Sequence, residues 1–129
     1  MNQKKRAWIY CRIDAPEDQH GVLKNQRQKL MDYADQMEFE VVGSSQDQAS
    51  GLCFDRPGLN EVTEAAKTGR FDVLLIHSVS RLGRDTCRTM EYLEKLRAMG
   101  ITTYSPLEGV LDFTLQKVIR DALSHMEMQ

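Results

Sequence analysis

Four arginines at the ends of short apolar segments give the first chemical signal in this chain. Arg12 closes the run Ala7-Trp8-Ile9-Tyr10-Cys11-Arg12-Ile13, and Arg56 stands in Asp55-Arg56-Pro57. Arg81 and Arg84 lie together in Ser80-Arg81-Leu82-Gly83-Arg84-Asp85. A guanidinium stays charged at any relevant pH and presents a fixed fork of donors, which suits a phosphate. Several of them converging on one point would also stabilise charge that builds on a phosphoryl group during transfer. The plainer reading of any one is a solvated charge, or an ion-pair partner of Asp47, Asp55 or Asp85, worth little by itself. Convergence is what would separate the two readings.

The elements around these arginines predict that they converge. Ala7 to Ile13 reads as a buried strand ending in the polar loop Asp14-Ala15-Pro16-Glu17-Asp18. From Gln19 to Glu38, Leu23, Leu30, Ala34 and Met37 recur at helical spacing. Glu40 to Gly43 is a second short strand, and Ser44 to Phe54 a loop. Asp55 reads as the N-cap of a helix that uses Leu59, Val62 and Ala66 and stops near Gly69. Phe71 to Ile76 has the near-continuous apolar character of a central strand covered on both faces. Ser78 to Asp85 is a polar loop; Met90, Leu93 and Leu96 mark a helix that stops at Gly100. Ile101 to Tyr104 is a fourth strand, and Leu111, Leu115, Val118, Ile119, Ala122 and Met126 stripe a C-terminal helix. Alternation of strand and helix predicts a three-layer α/β domain: a largely parallel central sheet of four to five strands with helices on both faces. In such sheets ligands bind beyond the carboxyl ends of the strands, which is where the arginine-bearing loops emerge.

Bulk properties narrow the class. A chain of 129 residues is expected to form one domain, spanning 1–129. It has no apolar run of membrane-spanning length, so no membrane partner is expected. Cys11, Cys53 and Cys87 form no CxxC pair and read as reduced thiols of a cytoplasmic protein. His20, His77 and His125 are isolated, so no metal site is expected. The net charge of −2 runs against a free-standing DNA-binding module, whose affinity comes mostly from neutralised phosphates. Positive charge, if it meets DNA here, must be local.

The order and spacing of the blocks resemble the N-terminal catalytic domain of the serine site-specific recombinases, the resolvase/invertase family. Tyr10-Cys11-Arg12-Ile13-Asp14 is similar to the family's Tyr-x-Arg-Val-Ser, and Leu23-Lys24-Asn25-Gln26 to its Leu-x-x-Gln. Asp47-Gln48-Ala49-Ser50-Gly51 and Asp55-Arg56-Pro57-Gly58-Leu59 resemble the two halves of its next block. Ser80-Arg81-Leu82-Gly83-Arg84-Asp85 resembles its Asp-Arg-Leu-Gly-Arg-Asp. The resemblance implies metal-free, cofactor-free DNA strand cleavage and exchange through a phosphoserine link. It implies that Arg12, Arg56, Arg81, Arg84 and Gln26 surround the scissile phosphate. It also implies that the last helix begins a dimerisation helix, with a homodimer, and a tetramer in the synaptic complex, as the working assembly.

Three departures qualify that expectation. Position 14, the family's nucleophile, is Asp; its attack would give an acyl phosphate, labile to water. Among arginines the carboxylate would stay ionised, repel the DNA phosphate, or simply pair with Arg12 or Arg81. Ser80 stands where the family has an aspartate, and Ser50 reads as a turn residue. The chain ends at Gln129 inside a helical pattern, so no C-terminal DNA-binding domain is expected and DNA binding by this domain alone should be weak. Met126 and Met128 are candidates for a homodimer contact, whereas Trp8, Tyr10 and Tyr104 read as core aromatics more readily than as base-stacking ones. The expected function is therefore a recombinase catalytic domain impaired at its nucleophile. The alternatives are a non-catalytic recombinase-like interaction or regulatory protein, or a small phosphate-ligand binder lacking a glycine-rich loop.

Overall fold

A computed structural model describes residues 4–13, 21–48, 56–82 and 86–111. The first strand, β1 (Arg6–Ile13), is buried along nearly its whole length and sorts its side chains by alternation. Ala7, Ile9, Cys11 and Ile13 enter one core, where they meet Leu23, Leu30 and Ala34 of helix α1 (Val22–Met37) and Val73 and Leu75. Trp8 and Tyr10 enter the other, with Leu59, Val62 and Ala66 of α2 (Pro57–Lys67) and Leu93 and Leu96 of α4 (Thr86–Ala98). Helices therefore cover both faces, as the alternation of elements requires.

Five strands form one sheet in the order β2-β1-β3-β4-β5. Strand β1 pairs parallel with β2 (Glu40–Gln48) and β3 (Val73–Leu75), and β3 parallel with β4 (Thr102–Ser105). The last strand, β5 (Gly109–Leu111), is antiparallel to β4. The chain reverses its winding between β1 and β3, so the topological switch point lies at the carboxyl end of β1.

Several boundaries differ from the pattern-based expectation. Strand β2 continues past Gly43 to Gln48, because β1 offers unpaired backbone groups up to Ile13, which pairs with Gln48. Its buried positions there are polar, Ser45 and Asp47, and polar residues in alternation read as a loop. Gly43 itself is required: a Cβ would lie 2.3 Å from the Trp8 ring, which crosses over it. The Trp8 indole donates to Ser45 Oγ at 3.1 Å and its ring lies 5.6 Å from that of Phe71. Helix α1 begins at Val22 behind a left-handed Gly21, three residues later than Gln19. Within the expected loop from Ser78, Val79–Leu82 makes one helical turn, α3, driven by full burial of Leu82. Leu111 belongs to β5 and not to a helix; the rest of the C-terminal stripe lies outside the described residues. Among the described residues, no helix is long and apolar enough to cross a membrane.

Candidate active site

At the carboxyl end of β1, Arg12 is 1% exposed, and its backbone extends past the last β3 rung, Ile9 opposite Leu75. Gln26 of α1 completes the pairing. Its Oε1 accepts from the Arg12 N–H at 3.1 Å and its Nε2 donates to the Arg12 carbonyl at 3.3 Å. A buried primary amide thus does the work of a neighbouring strand, fixing where the Arg12 side chain starts.

Arg56 is equally buried and is the N-cap of α2, one position after the expected Asp55, which lies outside the described residues. Arg56 supplies no capping side chain of its own. Asp47, opposite Arg12 in the sheet register, caps α2 from the neighbouring strand. Its Oδ1 accepts from the Gly58 N–H at 2.8 Å and its Oδ2 from the Leu59 N–H at 2.9 Å. A carboxylate at a helix N-terminus meets both the orphan N–H groups and the positive end of the dipole. The approach demands glycine at 58, since a Cβ would lie 2.6 Å from the Gln46 carbonyl and 2.8 Å from Asp47 Oδ2. Tyr10 donates its hydroxyl to Asp47 Oδ2 at 2.7 Å. Burial, then that bond to a carboxylate, holds the Tyr10 phenol far above its ordinary pKa, so it remains a donor.

The Arg56 guanidinium lies over the Tyr10 ring, 5.6 Å from its centroid, and its Nη2 donates to the Leu82 carbonyl. That bond ties the start of α2 to the end of α3, the turn that contains the Arg81 backbone. The order of dependence is clear. Gly58 admits α2 to the sheet, Asp47 fixes its first turn, and Arg56 then reaches under α3 beside β1.

Arg12, Gln26 and Arg56 are thus gathered at the switch-point edge. The Arg81 side chain, Asp14 and Arg84 lie outside the described residues, as do Ser50 and the Ser80 side chain. Asp47, considered from sequence as an arginine's ion-pair partner, instead accepts from two N–H groups and a phenol. Tyr10 is the core residue it was expected to be and also orients Asp47. The sequence hid this role, because Asp55 already stood as the expected cap of that helix. Two guanidiniums removed from water act with little screening on charge near that edge.

Comparison with known proteins points the same way. The family model described as "Resolvase, N terminal domain" matches residues 7–126. The C-terminal catalytic domain of ISC1926 TnpA, an IS607-like serine recombinase, is 29% identical with a TM-score of 0.72, over 92% of this chain and 78% of that one. The N-terminal catalytic domain of TP901-1 integrase superposes with a TM-score of 0.79 at 22% identity, over 96% and 95% of the two chains. A resolvase family site-specific recombinase from Streptococcus pneumoniae gives 0.75 at 19% identity, over 97% and 89%. At these last two identities the likeness is one of fold. With the family model spanning nearly the whole chain and the arginine-bearing edge in place, this protein belongs to the resolvase N-terminal domain family, the fold of the serine recombinase catalytic domains.

Proposed function

We propose that this chain is a DNA strand-exchange domain whose cleavage step is impaired at position 14. The observation that carries the reading is the joint burial of Arg12 and Arg56 at the switch-point edge, each fixed by a partner from another element. Arg12, Arg56, Arg81 and Arg84 would hold the scissile phosphate. Gln26, with its amide committed to the Arg12 backbone, acts as a positioning residue for Arg12. No step in this chemistry calls for a metal or cofactor. Asp14, in the nucleophile's place, would be ionised among the arginines and would repel the phosphate it faces. The working assembly would be a homodimer, pairing into a tetramer on DNA, in the cytoplasm. The free thiols of Cys11 and Cys87 fit that compartment.

A second reading is favoured by one observation: Asp14 and Ser80 depart together from the family pattern. On it, the domain keeps the fold as a non-catalytic partner of an active recombinase. Incubation of the parent and Asp14→Ser with supercoiled DNA, followed by denaturing electrophoresis, separates the two. A covalent protein–DNA product from Asp14→Ser alone supports an intact site lacking only its nucleophile. Product from the parent would overturn the impairment.

A further inference from the structure

The charges of α1 run against its own dipole. Lys24, Arg27 and Lys29 occupy its first half with no acidic residue among them, while Asp32 and Asp35 occupy the second half, with Glu38 and Glu40 just beyond its end. No acidic residue stands in the first turn and no basic residue in the last. Cations near a helix N-terminus and anions near its C-terminus are the unfavourable arrangement, so helix stability does not explain this one. Helices α2 and α4 follow the favourable rule, with Lys67 and with Lys95 and Arg97 in their last turns.

The reversed half of α1 sits where an anion would be expected. Leu23, Gln26 and Leu30 are buried, and Gln26 fastens this half to the end of β1 beside Arg12. The three cations are exposed and flank that buried seam on both sides. Lys24 and Arg27 line a cleft of about 310 Å³ with Gln28 and Gln46, toward the β2 edge. Lys29 lines one of about 190 Å³ with Asn25, Gln26 and His77, beyond the end of β3. Among the described residues, no carboxylate is in ion-pair contact with Lys24, Arg27 or Lys29. Lys24 and Lys29 are separated by about 7.5 Å of helix rise at 1.5 Å per residue. That is close to two steps of roughly 3.4 Å along a DNA strand.

We propose that Lys24, Arg27 and Lys29 form a backbone-docking track for duplex DNA, on the α1 side of the sheet edge and flanking the phosphate held by the arginines. The inference rests on the strand-exchange reading and adds to it a contact outside the reacting phosphate. It also locates the local positive charge that a chain of net charge −2 needs in order to meet DNA. Charge on the track is compensated when the phosphates arrive, which accounts for a polarity that costs the free helix stability.

The test measures binding of the full chain to a labelled duplex of about 30 base pairs, from about 20 to 200 mM salt. The triple variant Lys24→Gln, Arg27→Gln, Lys29→Gln should lose at least tenfold in affinity at the low end. Its log K against log salt slope should fall by about 2 to 3, near 0.9 per lost phosphate contact. A control carrying Lys67→Gln and Lys95→Gln, at the opposite end of the molecule, should keep the parent's slope. The triple variant should melt at the parent's temperature or slightly above it, because the unfavourable interaction of Lys24 with the first turn is gone. Melting well below the parent would mark the side chains as structural and overturn the track. Unchanged slope in a binding-competent variant overturns the track alone, including the case in which Asp14, Glu17 or Asp18 already neutralises it. Absence of binding by the parent at low salt overturns the track; the strand-exchange reading, which expects only weak binding by this domain alone, is tested separately by the covalent product of Asp14→Ser.

Discussion

The two ends of β1 each hold arginine, and they use it in opposite ways. At the amino end, Arg6 and Asp72 are both 43% exposed and form a forked pair, with Nε to Oδ2 at 3.1 Å and Nη2 to Oδ1 at 3.0 Å. At the carboxyl end, Arg12 and Arg56 are 1% exposed. The carboxylate nearest in the sheet, Asp47, serves the α2 backbone and Tyr10 instead. An exposed fork pairs charge with charge in water, loses little solvation and gains little. Burying guanidiniums costs desolvation that only an extensive supporting network offsets. The difference teaches where to look for function: in the end that the fold goes to structural lengths to build.

The comparison breaks most readily at Asp47. Asp47→Ala removes the acceptor of two helix N–H groups and orphans the buried Tyr10 hydroxyl, at an expected cost of about 3 kcal/mol. Urea unfolding measures it; a loss below about 1 kcal/mol would mean that the carboxyl end is not held by this carboxylate.

A smaller effect is expected at Gln26. Gln26→Leu keeps the volume but leaves the Arg12 N–H and C=O without their partners, a loss of about 1–2 kcal/mol. Hydrogen exchange reads it directly: the Arg12 amide should exchange faster in the variant while the Trp8 amide, within the β3 pairing, is unaffected. Equal protection of Arg12 in both proteins would remove Gln26 from its positioning role.

The smallest effect belongs to the amino end. The Arg6 guanidinium, then its backbone N–H, donates to Asp72 and holds that carboxyl below the usual range. A lowered folded-state pKa means that the unfolded chain binds more protons. The pair's support is therefore full above the ordinary carboxylate value, about 4, and fades as pH falls through the lowered one. Asp72→Asn should lower the melting temperature by a few degrees at most near neutrality and flatten the acid limb. A large drop at neutral pH would erase the contrast between the two ends.

Much of this was legible in residue order. The apolar run Ala7 to Ile13, helical spacing through Leu23, Leu30 and Ala34, and the apolar run near Val73–Leu75 specify α/β alternation, since each pattern reports one face or two. The placement of Arg12 and Arg56 at one edge follows from that alternation. What pattern could not supply was the length of β2. Ser45 and Asp47 are buried polar residues whose partners, Trp8 and Tyr10 with the α2 backbone, are distant in sequence.

The chain's order of residues therefore determined the fold class, the family resemblance and the shared edge of Arg12 and Arg56, because side-chain periodicity and block spacing are local properties. Only the tertiary structure decided that Asp47 is a helix cap, that Gln26 completes the pairing of β1, and that Gly58 must be glycine. Each of those depends on two segments meeting within hydrogen-bond distance. Such meetings are set by packing across the whole sheet, and no single stretch of the chain contains them.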